Sequence, residues 1–334
     1  MIETTEIPGT DLEPSRIGLG TWAIGGWMWG GNDDAEAVRA IHAAIEQGVT
    51  LIDTAPVYGM GHAEQLVGRA LAERGGAHGL VISTKAGLEW EGTQPYRNAS
   101  RARLLAEIDD SRARLGVDVV DIHHVHWPDP LVPIEETARA MHDLLATGKI
   151  RAVGVSNFSV PQMAQFRSEC PIHVVQPPYN LFERGIEQDV LPDARRHDAT
   201  TLTYGALCRG LLSGKMSAER DFTGDDLRQM DPKFQPPRFA QYLEAVSRLD
   251  ALARERFDKR VIHLALRWLL DQPGVGVALW GARRPDQLAP VGEVADFRID
   301  AATRADIDRI LEDTISDPVG PEFMAPPSRE AEAA

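Results

Sequence analysis

Short apolar runs alternate along this chain with stretches whose apolar positions recur every three or four residues. The runs 17–21 (IGLGT), 51–53 (LID), 80–84 (LVIST), 119–125 (VVDIHHV), 152–155 (AVGV), 173–176 (HVVQ), 200–204 (TTLTY) and 275–280 (VGVALW) read as strands. Between them lie helical patterns. The stretch 34–47 puts Val38, Ile41 and Ile45 on one face, Asp33 followed by Glu36 resembles a capping box, and Gly48 is placed to stop the helix. Leu104, Ile108 and Leu115 repeat the pattern before Gly116, as do Met141, Leu144 and Leu145 before Gly148.

Strands mostly followed by helices predict a parallel sheet with right-handed crossovers, and eight strands is the number that closes a (β/α)8 TIM barrel. A doubly wound open sheet is the alternative, and it calls for a GxGxxG turn after the first strand. The segment GLGTWAIGGWMWGG is rich in glycine but lacks that spacing with a helix directly behind it. The barrel is therefore preferred. Residues 5–17 (TEIPGTDLEPSRI) read as an N-terminal β-hairpin able to cover the barrel floor. The expected organisation is one domain over 1–334. The long polar segment 216–240 is expected to lie over a bound cofactor, and a disordered tail is expected from about 325 to 334.

With 43% hydrophobic and 25% charged residues, the composition is that of a globular protein, long enough for a core that needs no disulfide or metal. The 35 Lys and Arg against 50 Asp and Glu give a formal charge of −15, which argues against nucleic acid or an anionic membrane as partner. Two cysteines without CxxC spacing, and no apolar run near the ~20 residues that span a bilayer, fit a cytoplasmic protein. The acidic opening segment MIETTEIPGTDLEPS does not read as a signal peptide.

Four polar residues follow the apolar runs. Asp53 ends the second run, Tyr58 lies five residues beyond it, Lys85 ends the third and His126 the fourth. In a (β/α)8 barrel these places share the catalytic rim. A hydride arriving at a carbonyl carbon leaves an alkoxide that needs a proton. A phenol, ordinarily with a pKa near ~10, is expected to titrate lower beside an ammonium. Lys85 supplies the ammonium, Asp53 holds it, and His126 donates to the carbonyl oxygen. Singly, an aspartate at a strand end is often a cap and a loop tyrosine often a packing residue. The joint arrangement is what points to chemistry.

A series of motifs carries a resemblance. GLGTW (18–22), LIDTAPVYG (51–59), STK (83–85), HWPDP (126–130), GKIRAVGVSNFS (148–159), QPPYNL (176–181), YGALCRGLLSGK (204–215) and GARRPDQL (281–288) together resemble the aldo-keto reductase superfamily over most of the chain. LFER, RGLLSGK, DPKFQPPRF and SDPVGPEFMAPP resemble most closely its bacterial general stress protein 69 branch, aldo-keto reductase family 11. The resemblance implies NADPH-dependent reduction of aldehydes or ketones, with Asp53, Tyr58, Lys85 and His126 as the catalytic set and Tyr58 as general acid. It implies NADPH rather than NADH, bound at the barrel mouth without a Rossmann fold. Gly20, Thr21 and Asp53 then lie near the nicotinamide ribose, Ser156, Asn157 and Gln176 hold the carboxamide, and Tyr204 stacks on the ring. The loop of Gly205, Ala206, Leu207, Cys208, Arg209, Gly210, Leu212 and Lys215 suits a pyrophosphate, with Arg209 and Lys215 adding charge. Gly281, Ala282, Arg283 and Gln287 match the segment that receives the 2′-phosphate, with Arg283 or Arg284 offering the fork, and Arg228 closes over the cofactor from the long segment.

Two positions depart from the family. Val291 stands where many relatives carry an adenine-contacting asparagine, and HHVH stands where relatives often have Tyr-Gln before the catalytic histidine. His124 and His126 form an HxH that binds metal in other barrels. The further ligands are missing, because His173 falls at the opposite rim and His263 in a helical pattern, so no metal is expected. Of the tryptophans, Trp22, Trp90 and Trp127 lie just after strand ends and are the candidates for a pocket holding a small carbonyl substrate. The rival readings are a nucleotide-holding binding module, as in relatives that serve as ion-channel subunits, and a metal-dependent barrel hydrolase.

Overall fold

In the computed structural model, which describes residues 2–329, all eight predicted runs pair as strands of one closed barrel. In chain order the strands are β1 (Ile17–Gly20), β2 (Leu51–Asp53), β3 (Val81–Ala86), β4 (Leu88–Glu91), β5 (Gln94–Arg97), β6 (Val120–Val125), β7 (Ile150–Ser156), β8 (Val174–Gln176), β9 (Thr200–Thr203) and β10 (Val277–Gly281). The barrel runs β1-β10-β9-β8-β7-β6-β3-β2, with every described pairing parallel. Apart from Gly20, Arg151 and Gly281, the barrel strands are buried on both faces, which is why the runs read as nearly continuous apolar stretches.

Inside the barrel, Leu51, Val81, Ile122, Ala152, Val174, Leu202, Val277 and Leu279 form one apolar layer. β1 contributes Gly18 at this level, because a Cβ there would sit 2.7 Å from Leu51 and 2.8 Å from Leu279. The N-terminal hairpin closes the layer from below. Its ladder is carried by Ile7 N–H to Leu12 O (3.0 Å), Thr5 N–H to Pro14 O (3.0 Å) and Arg16 N–H to Glu3 O (2.7 Å). Ile7 and Leu12 are buried against the layer, each contributing about 1.5–3 kcal/mol of burial.

Helices cover the outside. The helix Asp34–Glu46 starts as the sequence predicts, with the Asp33 carboxylate accepting from Glu36 N–H at 2.9 Å, and the chain leaves it through Gly48 at φ +91°. One element was not anticipated. β4 and β5 form an antiparallel hairpin between β3 and the helix Arg101–Leu115, turning at Gly92 (φ +58°).

The long polar segment holds only short helical turns before the helix that begins at Arg238. It is docked, not free. Leu227 N–H donates to Met28 O (3.0 Å), and the Asp225 carboxylate accepts from Met28 N–H (2.8 Å) and Gly30 N–H (3.0 Å). Its far end is pinned by buried charges: Arg209 pairs with Glu183 and Asp231, Lys233 Nζ lies 2.8 Å from Glu183, and Lys233 also donates to Gly320 O. Disorder was expected from about 325. Residues 325–329 are instead held, because Arg97 N–H donates to Pro327 O (3.0 Å), Arg97 Nε to Pro326 O (2.9 Å), and Arg329 reaches Asp129. The rest of that expected tail, 330–334, lies outside the described residues.

Higher in the barrel the filling becomes polar. His124 on β6 turns inward and occupies space that Gly154 on β7 leaves open, since a Cβ at 154 would lie 2.1 Å from His124 Nδ1. Gly154→Ala is therefore expected to destabilise the protein by about 1–3 kcal/mol through overpacking, read as a lower urea midpoint at unchanged m-value.

Candidate active site

The rim at the C-terminal ends of the strands gathers the four predicted residues. Asp53 closes β2, Lys85 is the penultimate residue of β3, His126 follows β6, and Tyr58 comes from the loop after β2. Lys85 and Asp53 are buried and joined by Lys85 Nζ to Asp53 Oδ2 at 2.7 Å. Further hydrogen bonds hold both partners. Lys85 Nζ also donates to Thr54 O (2.8 Å), while Asp53 Oδ1 accepts from Ser83 Oγ (2.8 Å) and Gln176 Nε2 (2.9 Å). His124 Nε2 lies 3.1 Å from the same Ser83 oxygen, and because that hydroxyl's proton is committed to Asp53, the imidazole is the donor.

Tyr58 stands above this base, with Lys85 Nζ 5.1 Å from its ring centroid and the His126 ring edge-on at 5.8 Å. Trp22 stacks against its other side at 6.0 Å between ring centroids. The Tyr58 hydroxyl makes no hydrogen bond among the described residues. The expectation that Lys85 draws the phenol's pKa down is corrected here. Burial pushes Tyr58 well above its ordinary value, and the Asp53 and Tyr204 side chains add to the rise. Burial likewise lowers Lys85, against the opposing pull of Asp53. His126 is held well below its usual value by burial and by the Lys85 charge, so its ring is neutral.

Two cavities meet at Tyr58. Trp22, Tyr58, Tyr204 and Met324 border both. The first, of about 390 Å³, runs past Gly20, Thr21 and Asp53 and along Gly205, Ala206, Leu207, Arg209 and Gly210 to Lys215, Arg228, Gly281, Ala282, Arg283 and Gln287. Arg283 has no carboxylate partner among the described residues. Its guanidinium donates to Trp29 O (2.9 Å) and Gly31 O (3.1 Å), and burial together with the charges of Arg228, Arg284 and Arg220 lowers its pKa. Of these neighbours, Arg228 is paired with Asp226 and Arg284 with Asp286. From Tyr204, which borders both cavities, a polar network runs along the second: the Tyr204 hydroxyl donates to Asn157 Oδ1 (2.8 Å), Asn157 Nδ2 to His126 O (3.0 Å), and Ser156 Oγ to Gln176 O (2.9 Å). Asn157 is held at φ +62°, a conformation that persists only where the surroundings impose it.

Not every predicted residue faces the cleft. Cys208 and Leu212 are buried in the core and line neither cavity. Arg209 touches the cleft, but its guanidinium is spent on Glu183 and Asp231, so it does not add the free charge expected of it. Val291 is buried in the core and lines neither cavity. Trp90 is displaced by the unanticipated hairpin. It lies on β4 under the Arg103 guanidinium, 5.6 Å from its ring centroid, and the tryptophans lining the second cavity are Trp22, Trp27 and Trp127. Phe323 to Pro327 also line it, the last three of them from the segment read as disordered. Their apolar character (FMAPP) was the signal available in the sequence. Among the described residues no group of three His, Cys, Asp or Glu is arranged to hold a metal.

Residues 16–312 match the model of the Aldo/keto reductase family. The chain is 57% identical over 329 residues to aldo-keto reductase YhdN of Bacillus subtilis, covering 98% of this chain and 99% of that protein. It is 33% identical to an NADH-specific methylglyoxal reductase of Escherichia coli, over 84% of this chain and 89% of the other. Among solved structures it is similar to the glycerol dehydrogenase AKR11B4 of Gluconobacter oxydans, with a TM-score of 0.87 and 50% identity over 96% of this chain and 99% of that one. The branch expected from the motifs, family 11, is the one these relatives represent.

Three buried histidines give the site a pH signature. Burial depresses His126 and His124 well below 6.5, and His123 to about 3. The unfolded chain binds protons there that the folded chain refuses, so their contribution is complete above about pH 6.5 and is lost as pH falls below it. The loss is about 1.4 kcal/mol per pH unit for each ring. Urea titrations should show stability falling from pH 7 to 5, while the ring-nitrogen NMR shifts of His126 stay those of a neutral imidazole in the folded protein.

Proposed function

The chain belongs to the aldo/keto reductase family, and we propose that it reduces aldehydes or ketones with NADPH, Tyr58 delivering the proton. What carries this reading is the buried Lys85–Asp53 pair set beneath a phenol with a free hydroxyl, at the point where a cationic cleft meets an aromatic cavity. The residues fit the nucleotide on their own chemistry: a polar cradle of Ser156, Asn157, Gln176 and Tyr204 at one end, and the unpaired guanidinium of Arg283 at the other.

When bound, the nicotinamide supplies the hydride. Every other part of the chemistry belongs to the chain. His126, as a neutral ring, donates to the substrate oxygen and turns the carbonyl toward Tyr58. A high phenol pKa keeps Tyr58 protonated at neutral pH, and its proton passes to the substrate oxygen as negative charge develops there. Lys85, 5.1 Å from the Tyr58 ring centroid, offers an opposite charge to the phenolate left behind, against a burial that keeps the phenol's pKa high. Asp53 keeps the ammonium from swinging away, and Ser83 and Gln176 keep Asp53 in place. Arg283 receives the 2′-phosphate, with Arg228 behind it, stacked 5.4 Å from the Trp29 ring centroid. The long segment 216–240 forms the cover of this cleft, within a single domain. Two buried free cysteines, Cys170 and Cys208, accord with the cytoplasm as its compartment.

Tyr58→Phe is expected to lower kcat for a good aldehyde by about 10²–10⁴-fold while NADPH still quenches tryptophan fluorescence at an unchanged Kd. Near-full turnover in that variant would refute Tyr58 as the acid. Arg283→Ala should weaken NADPH by at least about tenfold and leave NADH binding within about twofold. Equal losses for the two coenzymes would count against a 2′-phosphate role.

A further inference from the structure

The proposed chemistry uses His126, while the neighbouring His124 has no part in it so far. His124 and Ser83 are both buried, on the paired strands β6 and β3. His124 Nε2–H donates to Ser83 Oγ at 3.1 Å, and Ser83 Oγ–H donates to Asp53 Oδ1 at 2.8 Å. Asp53 Oδ2 in turn accepts from the Lys85 ammonium at 2.7 Å, below the Tyr58 ring. One line of hydrogen bonds therefore runs from the imidazole to the buried ion pair. With the imidazole donating to its oxygen, the Ser83 hydroxyl gives its proton to the carboxylate. A hydrogen bond received at that oxygen also polarises the O–H and strengthens the bond it gives.

Packing alone does not account for this imidazole. Its Nδ1 is buried with no partner among the described residues, and a Cβ at position 154 would collide with it. An unmet buried acceptor destabilises the fold, and a leucine in the same space would carry none. Lys85, His123 and His126 are the titratable neighbours that act on the ring, and with burial they keep it neutral. It therefore contributes a hydrogen bond and not a charge.

We propose that His124 is a positioning residue for carbonyl reduction: through Ser83 it fixes Asp53 as an acceptor and so keeps the Lys85 ammonium in place beneath Tyr58. The inference rests on reading Lys85, Asp53 and Tyr58 as the reducing machinery. Each donor on Asp53 stabilises its carboxylate, and a firmer carboxylate holds the ammonium charged against the pull of burial. Burial raises the phenol's pKa and lowers that of the lysine, so Lys85 is the first of the two to lose its proton as pH rises.

The test compares His124→Leu and His124→Gln with the wild-type protein, using NADPH and benzaldehyde. Leucine removes the donor and the unmet acceptor together. Its kcat should fall at least about fivefold, while the NADPH Kd stays within about twofold and the urea midpoint at pH 7 is not lowered. The alkaline limb of its kcat profile should move down by at least about half a pH unit. Glutamine, whose amide N–H₂ can reach Ser83, should restore both kcat and the limb. A leucine variant with kcat within about twofold of wild type and an unmoved limb would overturn the proposal. So would a lowered urea midpoint with a kcat loss that glutamine does not restore, which would make His124 a packing residue. If the wild-type protein reduces no aldehyde, the carbonyl-reductase reading fails on its own. The link to Lys85 is then decided by an NMR titration of its Nζ. The ammonium should lose its proton at lower pH in the leucine variant and at the wild-type pH in the glutamine variant. Identical titrations in all three proteins would overturn the proposal.

Discussion

A buried ammonium beside a buried carboxylate is the constraint from which the upper half of this barrel follows. Removing either partner of such a pair costs about 3–5 kcal/mol, because the charge left behind has no compensation. The pair survives only if its remaining hydrogen-bonding capacity is met. Thr54 O takes one Lys85 proton, and Ser83 and Gln176 satisfy the free side of Asp53. These groups come from the residue after β2, the middle of β3 and the end of β8, so the barrel must be closed before the pair is complete. Completion of the Lys85–Asp53 pair and barrel closure are in this sense the same event.

A second set of buried charges does for the cover what the first does for the floor. Glu183, Arg209, Asp231 and Lys233 knit together the loop after β8, the left-handed turn at Cys208 and Arg209, the long polar segment and the chain near Gly320. Non-glycine residues at positive φ are costly and need surroundings that impose the conformation. Arg209, at φ +52°, is locked by two carboxylates. Its charge therefore shapes the first cavity through the backbone it fixes.

The barrel was legible because its strands are almost wholly buried on both faces, leaving an apolar run, and because glycine stops such as Gly48, Gly116 and Gly148 separate the helices. The placement of Asp53, Lys85 and His126 followed from strand ends alone. What escaped depended on contacts between distant segments. Trp90 looked like a pocket residue because it follows a strand, and the β4–β5 hairpin that carries it off has only Gly92 to announce it. Arg209 looked free because Glu183 and Asp231 are not recognisable as its partners from their spacing. The direction of the Tyr58 shift turned on burial, with Asp53 and Tyr204 adding to it, and no linear motif records how deeply a loop residue is buried. The segment 325–329 read as disordered from its prolines, yet its backbone carbonyls are what Arg97 needs.

The packing of His124 against Gly154 also constrains history. A side chain at 154 and an imidazole at 124 claim the same space, so the two positions cannot drift independently. A lineage leaving this arrangement must give up the histidine before 154 can gain a side chain, and a lineage entering it must acquire the glycine first. The order of steps is set by volume alone, one residue beneath the hydrogen bonds that hold Asp53.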